Sequence, residues 1–159
     1  MNISQDLWKR LATSLKGTVN APVNQRPPDF DYLSTDTRTL HGSDETLAHT
    51  VFIALRGPRH DGHAHVAAAA AAGVQGFILA SDWSGEDPEG HVLRVPNTLA
   101  ALQALGRTAR LSRSGKVVGI TGSNGKTTVK EWAHALTPSA HRISKSPGSW
   151  NSQVGVPLS

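Results

Sequence analysis

Apolar residues recur along this chain in two distinct periods. Leu7, Trp8, Leu11 and Leu15 share one side of a helix, with Ser4 placed to cap its start and Gly17 to supply a left-handed stop. Other stretches are short and continuously apolar: residues 50–55 (Thr-Val-Phe-Ile-Ala-Leu), 76–80 (Gly-Phe-Ile-Leu-Ala), 91–95 (His-Val-Leu-Arg-Val) and 117–120 (Val-Val-Gly-Ile). These predict strands, the first apolar enough to be covered on both faces. Shorter strands are expected at 31–34 and 141–144. Residues 66–72, a valine followed by six alanines, predict a helix ended by Gly73. Alanine is the best helix former, and its small side chain lets a helix lie close on a sheet. Strand, helix, strand implies a parallel crossover.

Asn97, after Pro96, is placed to cap a helix that turns Leu99, Leu102, Leu105 and Ala109 inward. Residues 20–29, with three prolines, read as a loop, and residues 112–115 (Ser-Arg-Ser-Gly) as a linker. A last helix is expected to carry Val129, Trp132, Ala133 and Leu136 up to Pro138. The order is that of an α/β domain over residues 1–113, followed by the beginning of a second α/β unit over residues 114–159.

Composition narrows the class of protein. The chain has 159 residues, 38% of them hydrophobic, few aromatics, and a net charge of +4 scattered along its length. A core must therefore rest on Leu, Val, Ile and Ala, and no basic stripe suits nucleic acid, although anionic small molecules remain natural partners. The absence of cysteine excludes disulfides and thiolate metal sites. The first residues lack a basic stretch followed by an apolar core, and the longest apolar run, 66–74, is far short of the roughly 18 residues a membrane span needs. A soluble, cytoplasmic protein is expected.

The strongest chemical signal is Gly122-Ser123-Asn124-Gly125-Lys126-Thr127-Thr128, directly after the run 117–120. Glycines let successive backbone N–H groups point into one concavity, and a helix N-terminus adds its positive dipole end. Lys126 can then reach the outer phosphates of a nucleoside triphosphate, and Thr127 can ligate magnesium. The strict P-loop pattern wants glycine where this chain has Ile120, with Gly119 and Gly122 on either side. An ordinary Gly-rich turn is the plain alternative.

Only residues 129–159 follow that loop, and no acidic residue occurs after Glu131. A complete P-loop domain needs further βα units and a later carboxylate for magnesium, so the chain reads as the front part of a longer protein.

Two further clusters draw attention. His60, His63 and His65 with Asp61 could suggest a metal, but their spacing favours a loop that meets an anionic substrate. Asp36-Thr37-Arg38 offers a capping carboxylate, a hydroxyl and a guanidinium fork. Arg38, Arg56 and Arg59 are as compatible with a diphosphate clamp as with incidental surface ion pairs.

Taken together, Asp36-Thr37-Arg38, the segment from Val51 to Gly57 with Asp61-Gly62-His63, and the segment from Gly119 to Thr128 resemble the Mur ligases of cell-wall peptide synthesis. The resemblance extends over residues 34–159. It implies an α/β fold: the family's N-terminal substrate domain, a mixed sheet with flanking helices, followed by the truncated start of a P-loop ATPase domain. Within the family, residues 128–132 and 151–157 resemble the branch that joins D-alanyl-D-alanine to a UDP-N-acetylmuramoyl-tripeptide. The diaminopimelate- and lysine-adding branches share the first-domain pattern, and residues 146–153 also resemble versions fused to alanine racemase. A stand-alone UDP-sugar-binding module without catalysis is the alternative from another class.

The resemblance implies an ATP- and Mg2+-dependent ligase in which ATP phosphorylates the tripeptide's terminal carboxylate and the dipeptide amine attacks the acyl phosphate. It assigns Gly122, Ser123, Asn124, Gly125, Lys126, Thr127 and Thr128 to the nucleotide, Lys126 to charge stabilisation during transfer, and Thr127 to magnesium. Thr37, Arg38, Pro58, Arg59 and His60 fall at the UDP end of the substrate. Asn151, Ser152 and Gln153 would line the passage between ATP and substrate. The 159 residues alone are expected to be inactive, and the truncated sheet edge offers a surface for self-association.

Overall fold

A computed structural model describes residues 3–21, 29–58 and 60–159. The chain divides into two compact units, Met1–Ala104 and Leu105–Ser159. The first is built on a five-stranded sheet of order β1-β5-β4-β3-β2, with β1 Thr18–Asn20, β2 Tyr32–Ser34, β3 Thr50–Ile53, β4 Gly76–Ala80 and β5 His91–Val95. Strands β2 to β5 run parallel, and β1 pairs antiparallel with β5, so the sheet is mixed. Every residue of β3 and β4 is buried, which explains why both read as continuous apolar runs.

Helix α1 (Gln5–Ser14) starts where Ser4 accepts the Leu7 amide, and buries Leu7, Trp8, Leu11 and Ala12. Its exit differs from expectation. Lys16, at φ 53°, is the left-handed residue, and the Gly17 amide bonds back to the Ala12 carbonyl. Gly17 is needed for closeness: a Cβ there would lie 2.5 Å from the Arg94 carbonyl oxygen of β5. Strand β1 was not anticipated, because three exposed residues, Thr-Val-Asn, carry no burial pattern to read. Most of the proline-bearing loop 20–29 lies outside the described residues.

Helix α2 (Asp44–Ala48) is also additional, capped by Ser43 and buried through Leu47 alone. The alanine-rich segment forms α3 (Val66–Ala71), with Val66 and Ala69 against the sheet and Gly73 at φ 103° ending it. Its methyl-sized face joins Phe52, Ala54, Val74, Phe77, Leu79 and Val92 in one cluster. By the period-2 alternation of strands, Val51, Ile53 and Ile78 point to the opposite face. There Trp8 of α1 meets Phe30 at 5.4 Å between ring centroids. Helix α4 (Thr98–Leu111) begins with the Ala100 amide on the Asn97 side chain, as its sequence predicts, and fully buries Ala101, Leu102 and Leu105.

The second unit contains α5 (Lys126–Ala135) and the short α6 (Gly155–Leu158). Residues 117–120 and 141–144 are not strands. A strand is defined by its partner, and no described segment pairs with either; Val117 and Val118 stand 66% and 81% exposed.

Candidate functional site

Gly122 and Gly125 both adopt positive φ, 151° and 76°, which a side chain would strain. Gly125 is the N-cap of α5, and nothing lies within 4 Å of where its Cβ would stand. The first α5 closure is the Val129 amide to the Gly125 carbonyl, so the amides before it have no partner within the helix and open the loop with donors. Lys126 reaches back to donate to the Gly122 carbonyl at 2.5 Å, across the loop's mouth.

A cleft of about 390 Å³ opens here, lined by residues 123–128, Lys130, Ser149, Trp150 and Asn151 among others. Its lining contains two lysines and no carboxylate. Open glycine backbone, hydroxyls and the Lys126 ammonium, which has no carboxylate partner among the described residues, are the donor set that a polyphosphate requires, so the residues fit ATP. Thr127, which the resemblance assigns to magnesium, lines the cleft, and its Oγ1 stands 3.3 Å from the Ser149 hydroxyl.

Of the three residues expected after the second strand, Asn151 lines this cleft. Ser152 is occupied locally: its hydroxyl accepts the Gly155 amide at 2.9 Å, just before α6. Gln153 is exposed and outside the cleft lining. Lys130 was missed by sequence reasoning. It donates to the carbonyls of Ser146 and Gly148, contacts between residues far apart in the chain that no local pattern announces.

In the first unit, the loops after β2 and β3 leave the same edge of the sheet, because the two strands are parallel neighbours with Ser34 opposite Phe52. In open α/β sheets this carboxyl-end edge is where ligands bind. Thr37 and Arg38 lie on a single 3-10 turn, Thr37–Thr39, capped by Asp36. Buried Ser34 accepts the Asp36 amide, and its hydroxyl meets that of Thr39 at 3.0 Å, which fixes the turn. Arg38 grips Asp36 through Nε and Nη2, and this hydrogen bonding holds the carboxyl at a pKa of about 2. The guanidinium is 88% exposed and keeps further N–H donors free.

Pro58 and His60 sit exposed on the loop after β3, which closes through the Gly57 amide on the His60 carbonyl at 2.8 Å. Arg59 lies outside the described residues. Arg56 is committed to acids, donating to Asp82 at 2.7 Å and Asp61 at 3.2 Å. Its fork is therefore not open for a diphosphate in the way Arg38 is.

His63 departs from the expected anion-meeting role. It is 3% exposed, its Nε2 accepts the Ala80 amide at 2.9 Å, and its Nδ1 lies 2.5 Å from Asp61. An imidazole nitrogen that accepts an amide carries no proton, so this ring is neutral and donates to Asp61. Among the described residues no group of three or more His, Cys, Asp or Glu side chains could hold a metal ion, so the histidines around Asp61 form no such site.

Comparison with known proteins agrees with this architecture. No protein-family model matches the chain. It is 38% identical over 151 residues to UDP-N-acetylmuramoyl-tripeptide–D-alanyl-D-alanine ligase of Bacillus subtilis, covering 94% of this chain and 31% of that protein. The structure of the corresponding ligase from Acinetobacter baumannii superposes with a TM-score of 0.71 at 31% identity, over 94% of this chain and 32% of the other. MurF ligase from Thermotoga maritima, solved in complex with ADP, gives 0.65 at 30% identity, over 80% and 28%.

Mixed sheet, helix order and sequence together make the chain similar to the Mur ligase family. Within it, the similarity is to the D-alanyl-D-alanine-adding ligases, and the chain spans 26% to 31% of the length of three curated relatives it matches.

Proposed function

We propose that this chain provides the UDP-substrate and phosphate-binding portions of an ATP-dependent ligase of peptidoglycan precursor synthesis in the cytoplasm, one that joins D-alanyl-D-alanine to a UDP-N-acetylmuramoyl-tripeptide. The observation that carries the reading is the carboxylate-free cleft around Lys126, framed by two glycines at positive φ. ATP would supply the phosphoryl group that activates the tripeptide carboxylate. The protein's part is positioning and neutralisation. Residues 122–128 cradle the phosphates through backbone amides. Lys126, which donates to the Gly122 carbonyl, would stabilise charge on the transferred group, and Thr127 would hold magnesium.

Residues 1–113 serve as the UDP-substrate domain and 114–159 as the start of the ATP domain. Thr37, Arg38, Pro58, Arg59 and His60 receive the UDP end, and Asn151 lines the nucleotide cleft. No helix among the described residues is long and apolar enough to cross a membrane.

Isothermal titration of the chain with ADP in the presence of magnesium tests the reading, with Lys126→Ala as control. Binding by the wild type that falls about tenfold or more in the variant supports it. Equal affinity in both would place the nucleotide elsewhere.

A further inference from the structure

Lys130 follows Lys126 by one helical turn on α5, yet its contacts are of another kind. Its ammonium donates to the Ser146 carbonyl at 2.8 Å and the Gly148 carbonyl at 2.5 Å, and lies 3.3 Å from Glu131. The side chain is only 15% exposed. An ammonium has three N–H donors, and here all three are committed to protein oxygens. Lys130 therefore contributes geometry to the cleft rather than free charge.

The neighbouring residue extends the attachment, because Glu131 accepts from Lys145. Two consecutive positions of α5 thus pin residues 145–148. Gly148 then turns the chain at φ 44°, the Trp150 amide closes onto the Pro147 carbonyl at 3.2 Å, and the turn brings the Ser149 hydroxyl to 3.3 Å from that of Thr127. Adjacent oxygens around an octahedral magnesium, bound at roughly 2.0–2.1 Å, stand about 2.9 Å apart. The two hydroxyls are close to that spacing already.

We propose that Lys130 is a positioning residue of the nucleotide site, holding the 145–150 turn so that Ser149 joins Thr127 in contacting the magnesium-bound end of the phosphate chain. This rests on the nucleotide reading above.

The test uses the whole chain, titrated with ADP at several magnesium concentrations and in EDTA, alongside Lys130→Met, Lys130→Arg and Ser149→Ala, with thermal melting recorded for each. Magnesium should tighten ADP binding to the wild type. Lys130→Met and Ser149→Ala should each lose about tenfold of that gain while affinity in EDTA changes little, and Lys130→Arg should restore most of it. A merely structural lysine would lower the melting temperature and leave the magnesium dependence unchanged. Should Lys130→Met fail to fold, Ser149→Ala decides, since it leaves the lysine attachment intact. If the wild type binds ADP and the variants retain its full magnesium dependence, the inference falls and the nucleotide reading stands. A wild type that does not bind ADP removes both.

Discussion

His63 and Asp61 face each other across a 2.5 Å hydrogen bond, and the contact reveals what the Asp-Gly-His run does in this fold. Asp61 also accepts the His63 backbone amide and thereby caps the turn Gly62–His65 that leads into α3. Burial alone would raise the Asp61 carboxyl's pKa, but the His63 backbone and side-chain hydrogen bonds, with Arg56 beside them, leave it lowered. Through its other nitrogen the same imidazole ties this turn to the end of β4 at Ala80. The run is a clasp between the β3 loop and β4, and it sets the base of the loop that carries His60.

Replacing His63 with Ala leaves the buried Ala80 amide without an acceptor. We expect a loss of about 1–3 kcal/mol in stability to urea, and loosening of the 56–61 loop in hydrogen exchange. A variant as stable as the wild type would show that water substitutes fully for the ring.

Gly62 is constrained by proximity rather than by torsion. A Cβ at this position would lie 2.8 Å from the Leu55 amide nitrogen and 2.9 Å from its carbonyl oxygen. Both are backbone atoms of the segment leaving β3, and the Gly62 amide itself bonds to that carbonyl at 2.8 Å. Gly62→Ala should cost about 1–3 kcal/mol in chemical denaturation. Gly115→Ala, where nothing lies within 4 Å, should cost far less.

The ring of His91 provides a pH-dependent term. It is 3% exposed on β5, stands 6.3 Å from Phe30, and has an Nδ1 without a hydrogen-bond partner among the described residues. Burial lowers its pKa, because a charged imidazole would be desolvated there. The unfolded chain consequently binds more protons than the folded one just below the ordinary histidine value of about 6.5. Its contribution is fully present above that value and is lost as pH falls towards the folded pKa. Denaturant midpoints taken between pH 7.5 and 5.5 should decline less in His91→Phe than in the wild type. Identical declines would mean that His91 is not the source.

The sequence announces elements whose burial is strong and local. The runs at 50–55, 76–80 and 91–95 become β3, β4 and β5 because both faces of those strands are covered, and Ser4 and Asn97 cap as their positions require. Residues 117–120 have the same composition but no paired neighbour among the described residues, and composition cannot supply one. Strand β1 is the converse case, where pairing with β5 makes a strand of residues without an apolar pattern. At the site, Gly122, Gly125 and Lys126 are legible because phosphate chemistry demands their types at that spacing. Lys130, Ser149 and the buried His63 all depend on contacts across 16 or more positions, Ser146 with Lys130, Thr127 with Ser149 and Ala80 with His63, and these exist only once the chain is folded.

Arg38 and Arg56 can be separated by experiment. Both have guanidinium groups raised in pKa by hydrogen bonds to aspartate, from Asp36 in one case and chiefly Asp82 in the other. Arg38 grips a residue two positions away within its own turn, whereas Arg56 links the β3 loop to the segment after β4. Removing Arg38 should therefore leave the melting temperature near that of the wild type, while Arg56→Ala should lower it. UDP affinity should show the reverse order. Arg38 is 88% exposed beside Thr37 at the carboxyl edge of the sheet, with N–H donors still free for a diphosphate, so Arg38→Ala should weaken UDP binding by about tenfold. Arg56→Ala should weaken it less, because its Nη1 already satisfies Asp82. Calorimetric titration of UDP into both variants, with melts on the same samples, checks the pair. An Arg38→Ala chain that binds UDP as tightly as the wild type would move the diphosphate away from the Asp36-Thr37-Arg38 turn.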